Sequence, residues 1–143
     1  CGDIKHSRVA HSNIKLLLKL NHEIHIIAPN YFLDKTELTK INKKLVFHKS
    51  LSGLPKLDVI MMLRVQKERI SKNAKSYMNS FKKDFCLNSN HLHNQPFLMH
   101  PGPVNRNIEI DSKVLDNYSK SLILKQVDMG VYLRMACLEF ILK

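Results

Sequence analysis

The sequence predicts an α/β protein: a doubly wound, Rossmann-like parallel sheet flanked by helices, in a single domain over residues 1–143. Three observations lead there. Short strand-like runs alternate with longer amphipathic ones, the order that parallel strands joined by crossover helices produce. The run "LDVIMML" is apolar at nearly every position, as a strand covered on both faces must be. The strand-like runs also stop at prolines or at sudden clusters of polar groups: Pro29 after "EIHIIA", "RVQKER" after "LDVIMML", and "PGP" after "PFLMH".

The opening "CGD" reads as the tail of a strand already under way, so a first strand is expected immediately upstream of Cys1 and the chain is expected to be part of a longer protein. From Ser7 a helical period begins, with Ala10, Ile14, Leu17 and Asn21 on one face. Glu23 to Pro29 is short, β-branched and stopped by proline, hence a strand. "KTELTKINKK" is a polar-faced helix and "LVFHK" a second strand; Pro55 precedes the third, "LDVIMML". A helical stretch including "NAKSYMNSFKKD" leads to the fourth strand, "PFLMH". The last helix is expected to cap on Asp128, which puts Val131, Met135, Leu138 and Leu142 on one face.

Composition excludes several classes. A chain of 143 residues can bury a core without staples. No apolar run approaches the roughly 18 residues of a membrane span, so no membrane partner is expected. Three cysteines, Cys1, Cys86 and Cys137, have no CxxC spacing; free thiols in a reducing cytosol fit better than a disulfide framework. The net charge of +11 invites a nucleic-acid partner, but the lysines are spread along the chain and lack interleaved aromatics for base stacking. A solvated lysine-rich surface that draws in small anions is the simpler account. His91 and His93 in "HLH" lack a third ligand at useful spacing, so no metal is expected; His22, His25 and His48 are taken as structural or exposed.

In an open α/β sheet the ligand sits outside the carboxyl ends of the strands. After the expected first strand the chain places Gly2, Asp3, Lys5, His6, Ser7 and Arg8 there, with Arg8 at a helix N-terminus. After the third strand come Arg64 and Gln66, and after the fourth His100, Pro101, Gly102 and Pro103, with Asn105 and Arg106 beyond. Guanidinium forks match carboxylates two bonds at a time, and a rigid loop offers main-chain groups to an amide. The expected ligand is small, with more than one negative group. Arg69 or Arg106 taken alone reads as a surface salt-bridge partner. As a side chain on a loop, His100 is expected to contribute little to the core.

Four strings, "GDIKHSRVAHSN", "MMLRVQKERI", "MHPGPVNR" and "GVYLRMA", lie in the order found in aspartate carbamoyltransferases of the pyrimidine pathway, and the whole chain resembles their C-terminal, aspartate-binding domain. The resemblance implies that Arg8 and Arg64 grip the carboxylates of L-aspartate with Gln66 assisting, and that Arg69 locks two domains in a closed form. It implies that His100 serves catalysis and that the backbone of Pro101, Gly102 and Pro103 meets the carbamoyl group. The partners implied are L-aspartate, carbamoyl phosphate, an N-terminal carbamoyl-phosphate-binding domain whose Ser-Thr-Arg-Thr motif this chain lacks, and two further copies in a cytoplasmic homotrimer. No cofactor or metal is implied. Met129 stands where the family commonly has Asn before the glycine of "GVYLRMA". Ornithine carbamoyltransferases are similar but typically carry a His-Cys-Leu-Pro loop and a Ser-Met-Gly motif. The other alternative is a non-catalytic relative acting as an interaction module.

Overall fold

The computed structural model describes residues 1–41, 45–66 and 74–143. Helix α1 (Arg8–Lys19) follows Ser7, whose hydroxyl accepts from Ala10 N–H at 3.1 Å. That cap satisfies one of the donors a helix start leaves open. α1 buries Ala10 and Ile14 and ends before Asn21, which takes a φ of 60° while its N–H bonds Leu18 O and the next N–H bonds Leu17 O. The apolar period written in the sequence therefore outlasts the helix: Asn21 belongs to its left-handed stop.

Strand β1 (His25–Ile27) pairs in parallel with β2 (Val46–His48), and α2 (Lys35–Ile41) lies between them in sequence. Strand β3 (Val59–Met61) pairs in parallel with β4 (Phe97–Met99), with α3 (Ala74–Phe85) between. Each strand is shorter than the run that predicts it. The opening residues join the two ladders. Gly2 N–H donates to Ile27 O at 3.1 Å, the Cys1 amine to Met61 O at 2.8 Å, and Leu63 N–H to Cys1 O at 2.7 Å. The last two bonds are the pattern of a parallel pairing, so Cys1 occupies the strand position expected for "CGD". The order across the sheet is β2, β1, the opening residues, β3, β4, and then Ser121, which bridges Leu98 in parallel. Connections run outward in both directions from the centre, and the reversal lies between the opening residues and β3. Gly2 allows the close approach there: at its φ of +126° a Cβ would meet Leu63 O at 2.6 Å.

Beneath this sheet Ile26, Ile27, Phe32, Ile60, Met62, Phe81, Leu87, Leu98 and Ile110 are buried. Phe81 packs on Phe32 edge-on and on Phe85 in a stack. Each such side chain contributes about 1.5–3 kcal/mol by leaving water, and Phe81→Ala would open a cavity against Phe32 and Phe85. A short helix, α4 (Ser112–Asn117), is capped by Asp111, whose carboxylate accepts from Lys113 N–H at 2.8 Å. Helix α5 runs from Ile123 to Leu142, six residues earlier than an Asp128 cap would allow. Its N-cap is Leu122, with no side-chain bond to announce it. Val131, Met135 and Leu138 share a face as expected, but they are more than half exposed, and Leu124, Phe140 and Leu142 exceed 80%. No described helix is long and apolar enough to cross a membrane.

Candidate active site

The parallel strands put their carboxyl ends on one edge, and the reversal of strand order falls between the opening residues and β3. Two buried carboxylates stand at that point. Asp3 is fully buried and accepts from the ring Nδ1 of His6 at 2.9 Å, from His6 N–H at 3.2 Å and from Gln66 N–H at 3.4 Å. Gln66 returns the link by donating Nε2–H to His6 O at 3.1 Å. The tip of β3 is thereby tied to the segment that leads into α1, two residues before Arg8.

Glu109, equally buried, works from the opposite side. Its Oε1 accepts from Val65 N–H at 2.8 Å and from the Asn105 side-chain amide at 2.6 Å, and its Oε2 accepts from Asn105 N–H at 2.6 Å. The β3 tip and the chain after β4 are thereby held together. Arg64, half-buried, lies between Leu63, whose N–H is fixed by Cys1 O, and Val65, whose N–H is fixed by Glu109.

His100 lies under the Pro101–Gly102–Pro103 loop with no exposure, so it is a core residue and not the loosely packed side chain its position suggested. Its N–H donates to Gln126 of α5 at 3.0 Å, and its Nδ1 accepts from Gly102 N–H at 2.8 Å. An acceptor Nδ1 leaves the ring proton on Nε2, which faces the interior 3.9 Å from Glu109 Oε2 and makes no hydrogen bond. Burial pushes the imidazole down to about 4. The positive charge of Arg64 acts in the same direction.

The loop's chemistry follows from this bond. Pro101 and Pro103 have no N–H, and Gly102 N–H is taken by His100. Only carbonyls remain for the loop to present, which makes it an acceptor surface.

Arg8 is exposed on the first turn of α1, and Gln66 is half-buried at the β3 tip. Arg106 is spent elsewhere: it makes two bonds of 2.8 Å to Asp116 on the surface, which raise its own pKa and lower that of Asp116. Arg69 lies outside the described residues. His91 accepts from Asn88 N–H as the cap of a short helical turn. Among the described residues no group of three or more His, Cys, Asp or Glu could hold a metal ion. A cavity of about 270 Å³ lined by Ala28, Pro29, Asn30 and Lys49 lies apart from this cluster, beyond β1 and β2, with Lys49 as its one charged lining residue.

Reasoning from sequence missed Glu109 and Gln126. The one available signal for Glu109 was a charge set between two isoleucines in "NIEI". Gln126 carried none.

The architecture and the strand-end cluster define an open α/β domain with a candidate ligand site at its strand-order reversal. The model of the aspartate/ornithine carbamoyltransferase family, Asp/Orn-binding domain, matches residues 1–141, and the chain belongs to that family. The aspartate carbamoyltransferase catalytic subunit of Pelagibacter ubique is 43% identical over 142 residues, covering 97% of this chain and 45% of the relative. The catalytic subunit of M. jannaschii aspartate transcarbamoylase superposes with a TM-score of 0.76 at 30% identity, over 96% of this chain and 46% of that one. Aspartate transcarbamoylase of Trypanosoma cruzi in complex with N-(phosphonacetyl)-L-aspartic acid gives 0.78 at 25% identity, with the same coverage. The chain thus spans about half the length of the relatives it matches.

Proposed function

We propose that this domain is the aspartate-binding half of an aspartate carbamoyltransferase, which moves the carbamoyl group of carbamoyl phosphate to the amine of L-aspartate for pyrimidine synthesis. The observation that carries the proposal is the tie, through Glu109, between the Arg64-bearing tip of β3 and Asn105, two residues past the carbonyl-only loop Pro101–Pro103. A dicarboxylate needs forked cationic donors, which Arg64 and Arg8 supply, with Gln66 between them. A carbamoyl NH₂ needs acceptors, which the loop supplies.

In the reaction the aspartate nitrogen bonds to the carbamoyl carbon, the bond from that carbon to the phosphate oxygen breaks, and the amine gives up a proton. The domain contributes by holding the amine and the carbamoyl group in line and by setting dipoles around the changing charge. His100 serves as a positioning residue, since it fixes Gly102 and so the direction of the loop carbonyls. Arg69 is assigned to the lock between the two halves on the family resemblance alone.

The phosphate-binding half belongs against α5. That helix buries Ile123 while Leu133, Phe140 and Ile141 stand 66–84% exposed, an apolar surface larger than single exposed side chains make. The missing half of the relatives' length is the natural cover. Resemblance to the family also assigns the complete protein to a cytoplasmic homotrimer, which sedimentation of that protein would test.

The test of function is to assay the complete protein for carbamoyl transfer from carbamoyl phosphate with L-aspartate and, separately, L-ornithine. Product with aspartate alone is expected. No transfer, or preference for ornithine, would overturn the assignment.

A further inference from the structure

The ladder between β3 and β4 ends at Met62 N–H and Met99 O, 2.9 Å apart. Past that bond the two segments part, one leading to Arg64–Gln66 and the other to His100–Asn105. Glu109 lies in the gap, fully buried, and its two oxygens take three donors, from Val65 N–H, the Asn105 side-chain amide and Asn105 N–H. The Asn105 amide also reaches Val65 O at 3.4 Å. The chain around Arg64 is therefore fixed at each neighbouring amide: Leu63 by Cys1 O, Val65 by Glu109 and Gln66 by Asp3.

We infer that Glu109 is a positioning residue for the amino-acid substrate, setting the separation between the Arg64-bearing tip of β3 and the carbonyl loop after β4. The inference rests on the function proposed above. Its chemistry requires a carboxylate. Both ends of the side chain meet N–H donors, so an amide of equal size would turn its own NH₂ toward an N–H whichever way it is flipped. Losing either bond leaves a buried main-chain donor unsatisfied, and the segments can answer only by shifting. A shift at the β3 tip moves Arg64 and Gln66, which face the amino acid. The carbamoyl phosphate is bound mainly by the other half of the protein and is little affected.

The experiment uses the complete protein and compares wild type with Glu109→Gln and Asn105→Ala, reading the aspartate KM, the carbamoyl phosphate KM, kcat and the melting temperature. For Glu109→Gln the aspartate KM is expected to rise by about tenfold or more, since small misplacements of binding groups carry losses of that order. The carbamoyl phosphate KM should stay within about twofold, the split that marks lost amino-acid positioning. Equal rises for both substrates, or a lower melting temperature with both KM values unchanged, would overturn the inference. Should Glu109→Gln fail to fold, Asn105→Ala decides: it removes the side-chain donor and keeps the Val65 bond. A rise of several-fold in the aspartate KM alone supports the role, and an unchanged value overturns it. If wild type itself transfers nothing to aspartate, the proposed function fails, a result distinct from wild-type transfer with insensitive variants.

Discussion

Acid should weaken this protein through His100, and replacing His100 with asparagine should remove that part of the weakening. The imidazole is fully buried with its Nδ1 occupied by Gly102 N–H, and its pKa is lowered from 6.5 to about 4. In the unfolded chain the ring takes a proton near pH 6.5, whereas in the folded chain it resists until about 4. Between those values the unfolded state binds more protons, so stability falls as the pH drops. Above about pH 6.5 the stabilisation is whole, and below about 4 the loss is complete. At about 1.36 kcal/mol for each unit, the loss attributable to this ring is on the order of 3 kcal/mol. That is a large part of the roughly 5–15 kcal/mol by which domains are stable. Asparagine cannot titrate, and its Oδ1 can replace Nδ1 as acceptor for Gly102. The variant should be weaker near neutral pH by about 1–2 kcal/mol for the lost ring volume. Its stability should then fall less steeply, so that the gap closes with falling pH and the two curves cross above about pH 4. Urea unfolding across this range measures both, and the difference cancels the carboxylates common to the two proteins. Curves that stay parallel would refute the buried neutral imidazole.

The other expectations concern the proposed site and its surroundings. Arg64→Ala in the complete protein should raise the aspartate KM by about 10- to 100-fold, the worth of a charge-assisted bond of about 1.5–3 kcal/mol, and leave the carbamoyl phosphate KM near its original value. Arg64→Lys should recover only part, because an ammonium cannot form two parallel bonds, and full recovery would argue for a mere point charge. Arg106→Ala should change neither KM, since its exposed pair with Asp116 lies outside the cluster; a rise in the aspartate KM would bring it back in. The chain by itself should form no carbamoyl aspartate, and turnover by a preparation free of complete enzyme would contradict the two-half site. Leu133→Lys with Phe140→Lys on α5 should reduce self-association of the chain alone and weaken activity of the complete protein; unchanged sedimentation and activity would leave that face without a role.

Much of the fold was written locally. Pro29, Pro55 and the Pro101–Pro103 loop bracket strands, and Ser7 caps α1 where the period begins. What escaped was decided by distant parts of the chain. Six residues of α4 bury only Val114, too short a stretch for a period to register. The start of α5 has an apolar N-cap, so Asp128 looked like a better start than Leu122. His100 looked peripheral because its burial depends on the loop folding over it and on Gln126 twenty-six residues later. Arg8 and Arg64 could be placed near strand ends from the sequence, but so could Arg106, which is spent on Asp116. Glu109 could not be placed, since a glutamate between isoleucines reveals its burial only once Val65 and Asn105 are seen to converge on it.

A domain with a net charge of +11, whose proposed ligand is an anionic amino acid, nonetheless buries two acids at the root of its candidate site. Electrostatics alone argues against this, because each carboxylate lowers the positive potential the ligand would meet, and desolvating it is costly. Geometry gives the reason. The tip of β3 has left its ladder, so the N–H groups of Val65 and Gln66 need acceptors where no neighbouring strand supplies them. Asp3 and Glu109 provide those acceptors from opposite sides, and each carboxylate can take several donors where a single carbonyl would be crowded. Low local dielectric strengthens these bonds and penalises any displacement that breaks them. The lost potential is exchanged for a fixed backbone on either side of Arg64. For a site that must tell one small dicarboxylate from other anions, direction matters more than total charge, because a forked guanidinium selects by the angle at which it is offered.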